Sequence, residues 1–453
     1  MNEFDFRRLV AGALGLLVAC GSSPHATTST PRDSGSPEST GPGGLPQTNP
    51  CVEAGDCTAP VSCEALAAAV GTWQNISPPA FRDPANMETL AVAVNPEDET
   101  VYAAAGNVTN GSACPAGATC PSQGTGVLKS TDCGATWTLV TSKTPGSAAA
   151  NLFTGDPWAL LVDPVTPATM YIDNGYGSGP TLYKSTNAGV DWTALDPDPA
   201  RVVGTGLPFV QAIAIDPFDH LHLAVTFHAN CGSPFTPWCF SQSTDGGATW
   251  KEFNGPTSVP GFTIGGWMEA ASISILGATS YVALSPGGVY FTGDGGTTWT
   301  LVLAEIDDTS YAGSTHVLPD GTLVLGNSAG PLYASAPAPG HSPPFAIYQA
   351  PSLPVPQPRL RFQTGLSPAV TPILNAPQGT QIVDDGVSIY ASTSTSPPFW
   401  KAPLSDTTAW TRMPDAVCMN KVCRGSNEVA YDAVHHVIYS ANWGAGLWRL
   451  VTR

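Results

Sequence analysis

Four segments of the chain alternate apolar and polar positions with the period of two that marks a half-buried strand. Each breaks at a turn and then resumes the same alternation: TLAVAVNPEDETVYAAAG (89–106), WALLVDPVTPATMYIDNG (158–175), QAIAIDPFDHLHLAVTFH (211–228) and ASISILGATSYVALS (271–285). The pattern predicts strand, turn, strand in every case. After a connection of variable length, each is followed by a compact stretch of turn residues ending in an aromatic: KSTDCGATW, KSTNAGVDW, QSTDGGATW and FTGDGGTTW. Their tryptophans, Trp137, Trp192, Trp250 and Trp299, are spaced by 55, 58 and 49 residues, the period of a repeated supersecondary unit. Adding the strands that flank the turn makes each unit a four-stranded antiparallel meander.

Three weaker copies follow. STHVLPDGTLVLGNS leads to LYASAPAPG and FAIYQ, and TQIVDDGVSIYASTS leads to FWKAPLSDTTAWTRM, where Asp406 and Trp410 echo the turn. The last copy, NEVAYDAVHHVIYSANWGAGLWRLVTR, supplies three strands before the chain stops, and TWQNIS (72–77) supplies the missing fourth. The expectation is an all-β fold: a single seven-bladed β-propeller of four-stranded antiparallel blades over 72–453, its ring closed by an N-terminal strand. Closure removes the unpaired edges that an open sheet would expose.

The turn resembles the Asp-box, or BNR, repeat of sialidase-like β-propellers, here carried by Asp132 and Trp137, Asn187 and Trp192, Asp245 and Trp250, and Asp294 and Trp299. Turn chemistry makes these residues structural. The acid caps its own turn, glycine permits a positive φ, and tryptophan wedges between sheets. In the family the boxes sit on the face opposite the ligand site. The other rim then carries the long loops and blade crossovers, where binding residues concentrate on rigid scaffolds. Residues entering the inner strands there define the candidate site: Glu269 with Asp156 or Glu428 as a carboxylate pair for glycoside hydrolysis. Arg82, Trp158, Trp267, His316, Arg359, Arg361 and Arg424 are candidate ligand contacts. A sialidase's three-arginine clamp finds candidates among these arginines, but AFRDP (80–84) only faintly echoes the family's N-terminal motif and no tyrosine nucleophile is placed. Similarity to xyloglucan hydrolases is partial, since those use two propellers and this chain has length for one. Propellers of photosystem II assembly factors share the boxes without catalysis.

Composition narrows the partners. Of 453 residues 11% are charged and the net charge is −18, which argues against nucleic acid and anionic membrane surfaces. The amino terminus places Arg7 and Arg8 before an apolar run ending Leu17-Val18-Ala19-Cys20. This looks like a lipoprotein signal peptide (1–19) with Cys20 lipidated. Residues 20–50 read as a disordered Ser/Thr/Pro/Gly tether and 51–71 as a Cys-rich segment. Ten further cysteines suit an oxidising compartment. Cys114 with Cys120, Cys231 with Cys239, and Cys418 with Cys423 are close enough to staple loops, whereas Cys51, Cys57, Cys63 and Cys133 leave three connectivities open. The absence of CxxC or of a tight His/Cys cluster argues against a metal, and no cofactor is expected. The expected protein is a monomeric envelope lipoprotein, outer-membrane or surface-displayed, touching the membrane only through its lipid. Its propeller binds a glycan or an extracellular protein without catalysis. Glycoside hydrolysis is the alternative.

Overall fold

In the computed structural model, the described residues lie within 60–453, outside 79–88, 107–123, 176–179, 198–208, 257–271, 305–314, 336–344, 349–358, 363–369, 393–398 and 414–425 and a few stretches of three residues or fewer. Cys20 and the tether therefore fall outside them.

The alternating segments form antiparallel blades. The first comprises β2 (Thr89–Val94), β3 (Val101–Gly106), β4 (Val127–Ser130) and β5 (Thr138–Leu139), after β1 (Trp73–Asn75). The second is β6 (Leu160–Val162), β7 (Met170–Asp173), β8 (Leu182–Ser185) and β9 (Thr193–Leu195). The third is β10 (Val210–Ile215), β11 (Leu223–Phe227), β12 (Cys239–Ser243) and β13 (Lys251–Asn254). The fourth is β14 (Ser272–Gly277), β15 (Ser280–Ser285), β16 (Gly288–Thr292) and β17 (Thr300–Ala304).

Beyond them the chain departs from the expected form. It runs through β18 (Thr315–Val317), β19 (Leu323–Leu325), β20 (Asn327–Pro331), β21 (Tyr333–Ser335), β22 (Phe345–Tyr348), β23 (Arg359–Phe362), β24 (Val370–Pro372) and β25 (Gln378–Gly379). Regular order returns with β26 (Gln381–Asp384), β27 (Ser388–Ser392), β28 (Phe399–Pro403) and β29 (Thr411–Arg412), then β30 (Ser426–Asp432), β31 (Val437–Asn442) and β32 (Gly446–Val451).

The fold is an all-β propeller, but the expectation of seven equivalent blades is corrected to six. Five are meanders of consecutive strands, and the sixth is β30, β31 and β32 completed by β1. What lies between β17 and β26 is not a seventh meander. Its four-stranded sheet takes β18, β19, β21 and β24 out of chain order, while β20 pairs with β25 and β22 with β23 in separate two-stranded ladders. FAIYQ, read as this unit's outer strand, instead forms the hairpin with β23. The region is dense in proline, which cannot donate to a ladder, so period-two reading fails there. Pro372 ends the edge strand β24, a position that proline tolerates.

Packing runs between successive blades. The inner strands meet their neighbours, β2 with β6 and β30, β10 with β14, and β26 with β18 and β30. Between the first two blades lie Tyr102, Val127, Leu160, Met170, Tyr183 and Trp192. Strands in such a stack are covered on both faces, which is why β3, β31 and β32 are buried at every position rather than at alternate ones.

The repeated turns explain the spacing of this stack. In the third, Ser243 Oγ donates to Asp245 Oδ1 at 2.8 Å and accepts the Gly247 N–H at 2.8 Å, while Asp245 accepts the Thr249 N–H at 2.8 Å and its hydroxyl at 2.6 Å. The first and fourth repeat this network through Asp132 and Asp294. Asn187 does the same with one oxygen and uses its amide to donate to Asp191. Each turn then needs two successive left-handed residues: Cys133 and Gly134, Ala188 and Gly189, Gly246 and Gly247, Gly295 and Gly296. The second is glycine every time. A Cβ at Gly247 would meet Leu195 Cδ1 of the second blade at 2.8 Å, and one at Gly296 would meet Phe240 Cζ of the third at 2.5 Å. The turn thus both caps its own hairpin and seats against the preceding blade.

Ring closure joins three pieces. β1 pairs with β32, Trp73 opposite Leu450 and Asn75 opposite Trp448. Before it, a 3-10 turn (Cys63–Ala69) buries Leu66 and Ala69 against both terminal blades. Cys63 is bridged to Cys133 in the first blade's turn, closing a loop of 70 residues. By chain entropy that bridge is worth about 4 kcal/mol. Arg449 of β32 is 0% exposed and donates to the carbonyls of Cys133 and Val61 and to Gln74 Oε1. Cys231 and Cys239 form the second described disulfide. Cys51, Cys57, Cys114, Cys120, Cys418 and Cys423 lie outside the described residues.

Candidate functional site

The up-and-down course of a blade puts first-strand entries and second-strand exits on one rim, opposite the repeated turns. Asp156 enters the second blade by a backbone bridge to Gly175, with Asp156 N–H donating to the Gly175 carbonyl at 2.7 Å and Gly175 N–H returning at 2.9 Å. Gly106, the exit of β3, leaves room for it: a Cβ there would collide with the Asp156 carboxylate. Asp156 is 0% exposed. Asp173, the last residue of β7, is equally buried and accepts the N–H groups of Trp158 and Ala159 at 2.7 and 2.8 Å through Oδ1.

Glu428 reaches across the ring. From β30 its Oε2 accepts the Val92 N–H of β2 at 2.7 Å, and the carboxylate also receives the Leu160 N–H of β6. One side chain thus satisfies inner-edge donors of two neighbouring blades. Burial raises both acids well above the carboxylate range. For Asp173 the charge of Asp156 adds to burial, and for Glu428 the charge of Asp173 does. The backbone donors pull both downward by favouring the charged form.

Beside this acidic cluster lies an aromatic layer. Phe209, just before β10, stacks on His228, just after β11, with centroids 4.4 Å apart and planes 13° apart. Trp158 lies against Phe209 at 6.1 Å and 27°, and beside His228 at 6.4 Å. Phe209 and His228 are buried, whereas the Trp158 side chain is only partly so. Burial pushes His228 down to about 4, so the ring stacked on Phe209 is neutral at pH 7. Gly175 again makes the fit possible, because a Cβ would stand 2.7 Å from Trp158 Nε1 and 2.9 Å from the Phe209 ring. A rigid, partly exposed indole on a neutral stacked base, with hydrogen-bonding groups alongside, suits the apolar face of a sugar ring.

Of the residues expected from sequence, Asp156, Trp158 and Glu428 come to this rim. His316 in β18 is committed elsewhere, its Nε2 lying 2.6 Å from Asp384 Oδ2 of the next regular blade. Arg359 and Arg361 fall in β23, off the four-stranded sheets. Glu269, Arg82, Trp267 and Arg424 lie outside the described residues. Asp173, Phe209 and His228 were missed. Asp173 and His228 lie at the ends of second strands, whose outgoing loops the repeat pattern already assigns to this rim, and Phe209 immediately precedes an inner strand, so topology carried the signal for all three.

Fold and site together define an all-β propeller protein with an acidic and aromatic patch on the rim opposite its repeated turns. No protein-family model matches the chain. A xyloglucanase from Paenibacillus sp is 28% identical over 245 residues, covering 51% of this chain and 21% of that protein. The chain thus spans about a fifth of the length of this curated relative. Among solved structures, YCF48 from Cyanidioschyzon merolae aligns with a TM-score of 0.49 at 14% identity, over 83% of this chain and 98% of that one. The GH74 xyloglucanase from Xanthomonas campestris aligns with a TM-score of 0.37 at 15% identity, over 80% and 56%.

Proposed function

We propose that the propeller binds a glycan through the rim that carries Trp158, without cleaving it, and that it does so at the cell envelope, held by a lipid on Cys20 and the tether that follows. The observation that supports this most is the contrast within the patch. The indole of Trp158 is partly exposed on a fixed aromatic base, while Asp156 and Asp173 beside it are fully withdrawn. A glycosidase needs two carboxyl groups about 5–10 Å apart that both reach the substrate. Asp156 has no exposed surface, and Glu428 is engaged with the backbone of two blades. The xyloglucanase relative favours a β-glucan of the xyloglucan kind as the ligand class.

That relative also favours hydrolysis as the second reading, for which Glu269 with Asp156 or Glu428 are the candidates the sequence offers. Incubating the purified protein with xyloglucan and a broad glycan panel separates the two, with retained ligands and released sugars both read by mass spectrometry. Retention without release is expected. Release that vanishes in Glu269→Gln would establish the hydrolase instead, and neither outcome would turn the search to protein partners.

A further inference from the structure

The strongest unassigned cluster lies at the ring closure, far from the glycan rim. Ligand atoms of Cys63, Cys133 and His435 lie within 4.8 Å of one another. They come from three places in the sequence: the segment before β1, the first repeated turn, and the β30–β31 turn. The two cysteines are joined as a disulfide. We propose that, once this bridge is reduced, the two sulfurs and His435 bind a soft divalent cation such as zinc, so that the closure can be fastened either by a disulfide or by a metal.

The imidazole is set up for this role. Its Nδ1 lies 2.7 Å from Asp432 Oδ2, and Asp432 is itself fixed by accepting the N–H groups of Val434 and His435 at 2.9 Å each through Oδ1. A buried carboxylate holding Nδ1–H leaves Nε2 as a lone-pair donor of fixed orientation, the arrangement that supports zinc-bound histidines. The cluster is approached from the side of His435, whose side chain is 29% exposed, and of Cys63, which is partly buried, with Cys133 buried beneath them.

The chemistry balances with a dithiol reductant. It delivers two electrons and two protons to the S–S bond, leaving two thiols and its own cyclic disulfide. Zinc then displaces both thiol protons and takes the Nε2 lone pair, with water as fourth ligand. Zn–S bonds of about 2.3 Å require the sulfurs to separate to roughly 3.7 Å once the S–S bond is broken. Two cysteines 70 residues apart and a distant histidine carry no spacing motif, which is why the sequence argued against a metal.

The test uses the full chain with Co2+ and Zn2+. After dithiol reduction and removal of the reductant, Co2+ is expected to produce thiolate-to-cobalt absorption at one equivalent, displaced by Zn2+. Zn2+ should also restore the thermal midpoint lost on reduction. His435→Ala should weaken Co2+ binding at least ~10-fold while leaving the number of oxidisable thiols unchanged. Cys63→Ser should abolish the signal, with circular dichroism reporting that the blades persist. The proposal is overturned if the reduced protein shows no such absorption, if His435→Ala binds Co2+ as well as the parent, or if Cys63→Ser keeps the signal, which would place the metal on the other cysteines.

Discussion

Gly295 and Gly296 are adjacent, lie in the same turn and have similar backbone angles, φ +74° and +86°, yet they meet different surroundings. A Cβ on Gly295 would touch nothing within 4 Å, whereas one on Gly296 would meet Phe240 Cζ at 2.5 Å and Cε1 at 2.9 Å. Phe240 has little freedom to yield, being 0% exposed and packed by Phe253, Trp238, Tyr281 and Trp299. Alanine at either position incurs about 1–2 kcal/mol for the left-handed backbone. Gly296→Ala adds the cost of overpacking a filled interface, typically about 1–3 kcal/mol. Gly296→Ala should therefore lose more stability than Gly295→Ala by about 1–3 kcal/mol, read from urea unfolding followed by tryptophan fluorescence and circular dichroism. Equal losses, within about 0.5 kcal/mol, would refute the argument that the turn's second glycine sets blade-to-blade contact. The sequence carries its own control: Ala188 and Cys133 occupy the first position, and glycine always occupies the second.

Glu428 is a keystone of the inner ring if its carboxylate serves backbone donors. Glu428→Ala should then cost about 2–6 kcal/mol by leaving the Val92 and Leu160 N–H groups without their acceptor. Glu428→Gln, which keeps an accepting oxygen, should retain most of the stability, and equal losses for both in urea titrations would count against the structural role. Hydrogen bonds from Thr249 and Ser243 hold Asp245 down at about 2, below its ordinary value of 3.8. A depressed acid stabilises above its unfolded value and loses that contribution as pH falls through its folded one. The unfolding midpoint should accordingly drop between about pH 4 and pH 2, and Asp245→Asn should flatten this portion of the profile. An unchanged profile in the variant would show that other acids control it.

Much of the fold was legible because its physics is local. Alternation of period two marked both strands of each hairpin, and the Ser/Asp/Gly/Trp spacing marked the turns, since each turn is satisfied almost wholly by its own side chains. Even the closing strand could be read, because three strands at the C terminus demand a fourth and TWQNIS supplies a matching pattern. Legibility ended where pairing is non-local. Proline breaks the alternation between β20 and β24, and nothing in FAIYQ distinguishes the edge of a blade from a separate hairpin. The site was half legible for the same reason. Asp156, Trp158 and Phe209 precede obvious strands, whereas Asp173 and His228 lie at the ends of second strands and join them only through the folding of two blades. The link between Glu428 and Val92 spans 336 residues, and no spacing announces it.

The most direct test of glycan recognition at this rim is calorimetric titration of the full chain and of Trp158→Ala with xyloglucan oligosaccharides, with sugar release monitored in the same samples. Loss of a central stacking tryptophan typically costs about 2 kcal/mol, or ~30-fold in Kd. The account predicts binding by the parent without released sugar, and a loss of that size in Trp158→Ala with circular dichroism showing the blades still folded. Unaltered affinity in the variant, or no binding by the parent, would contradict it.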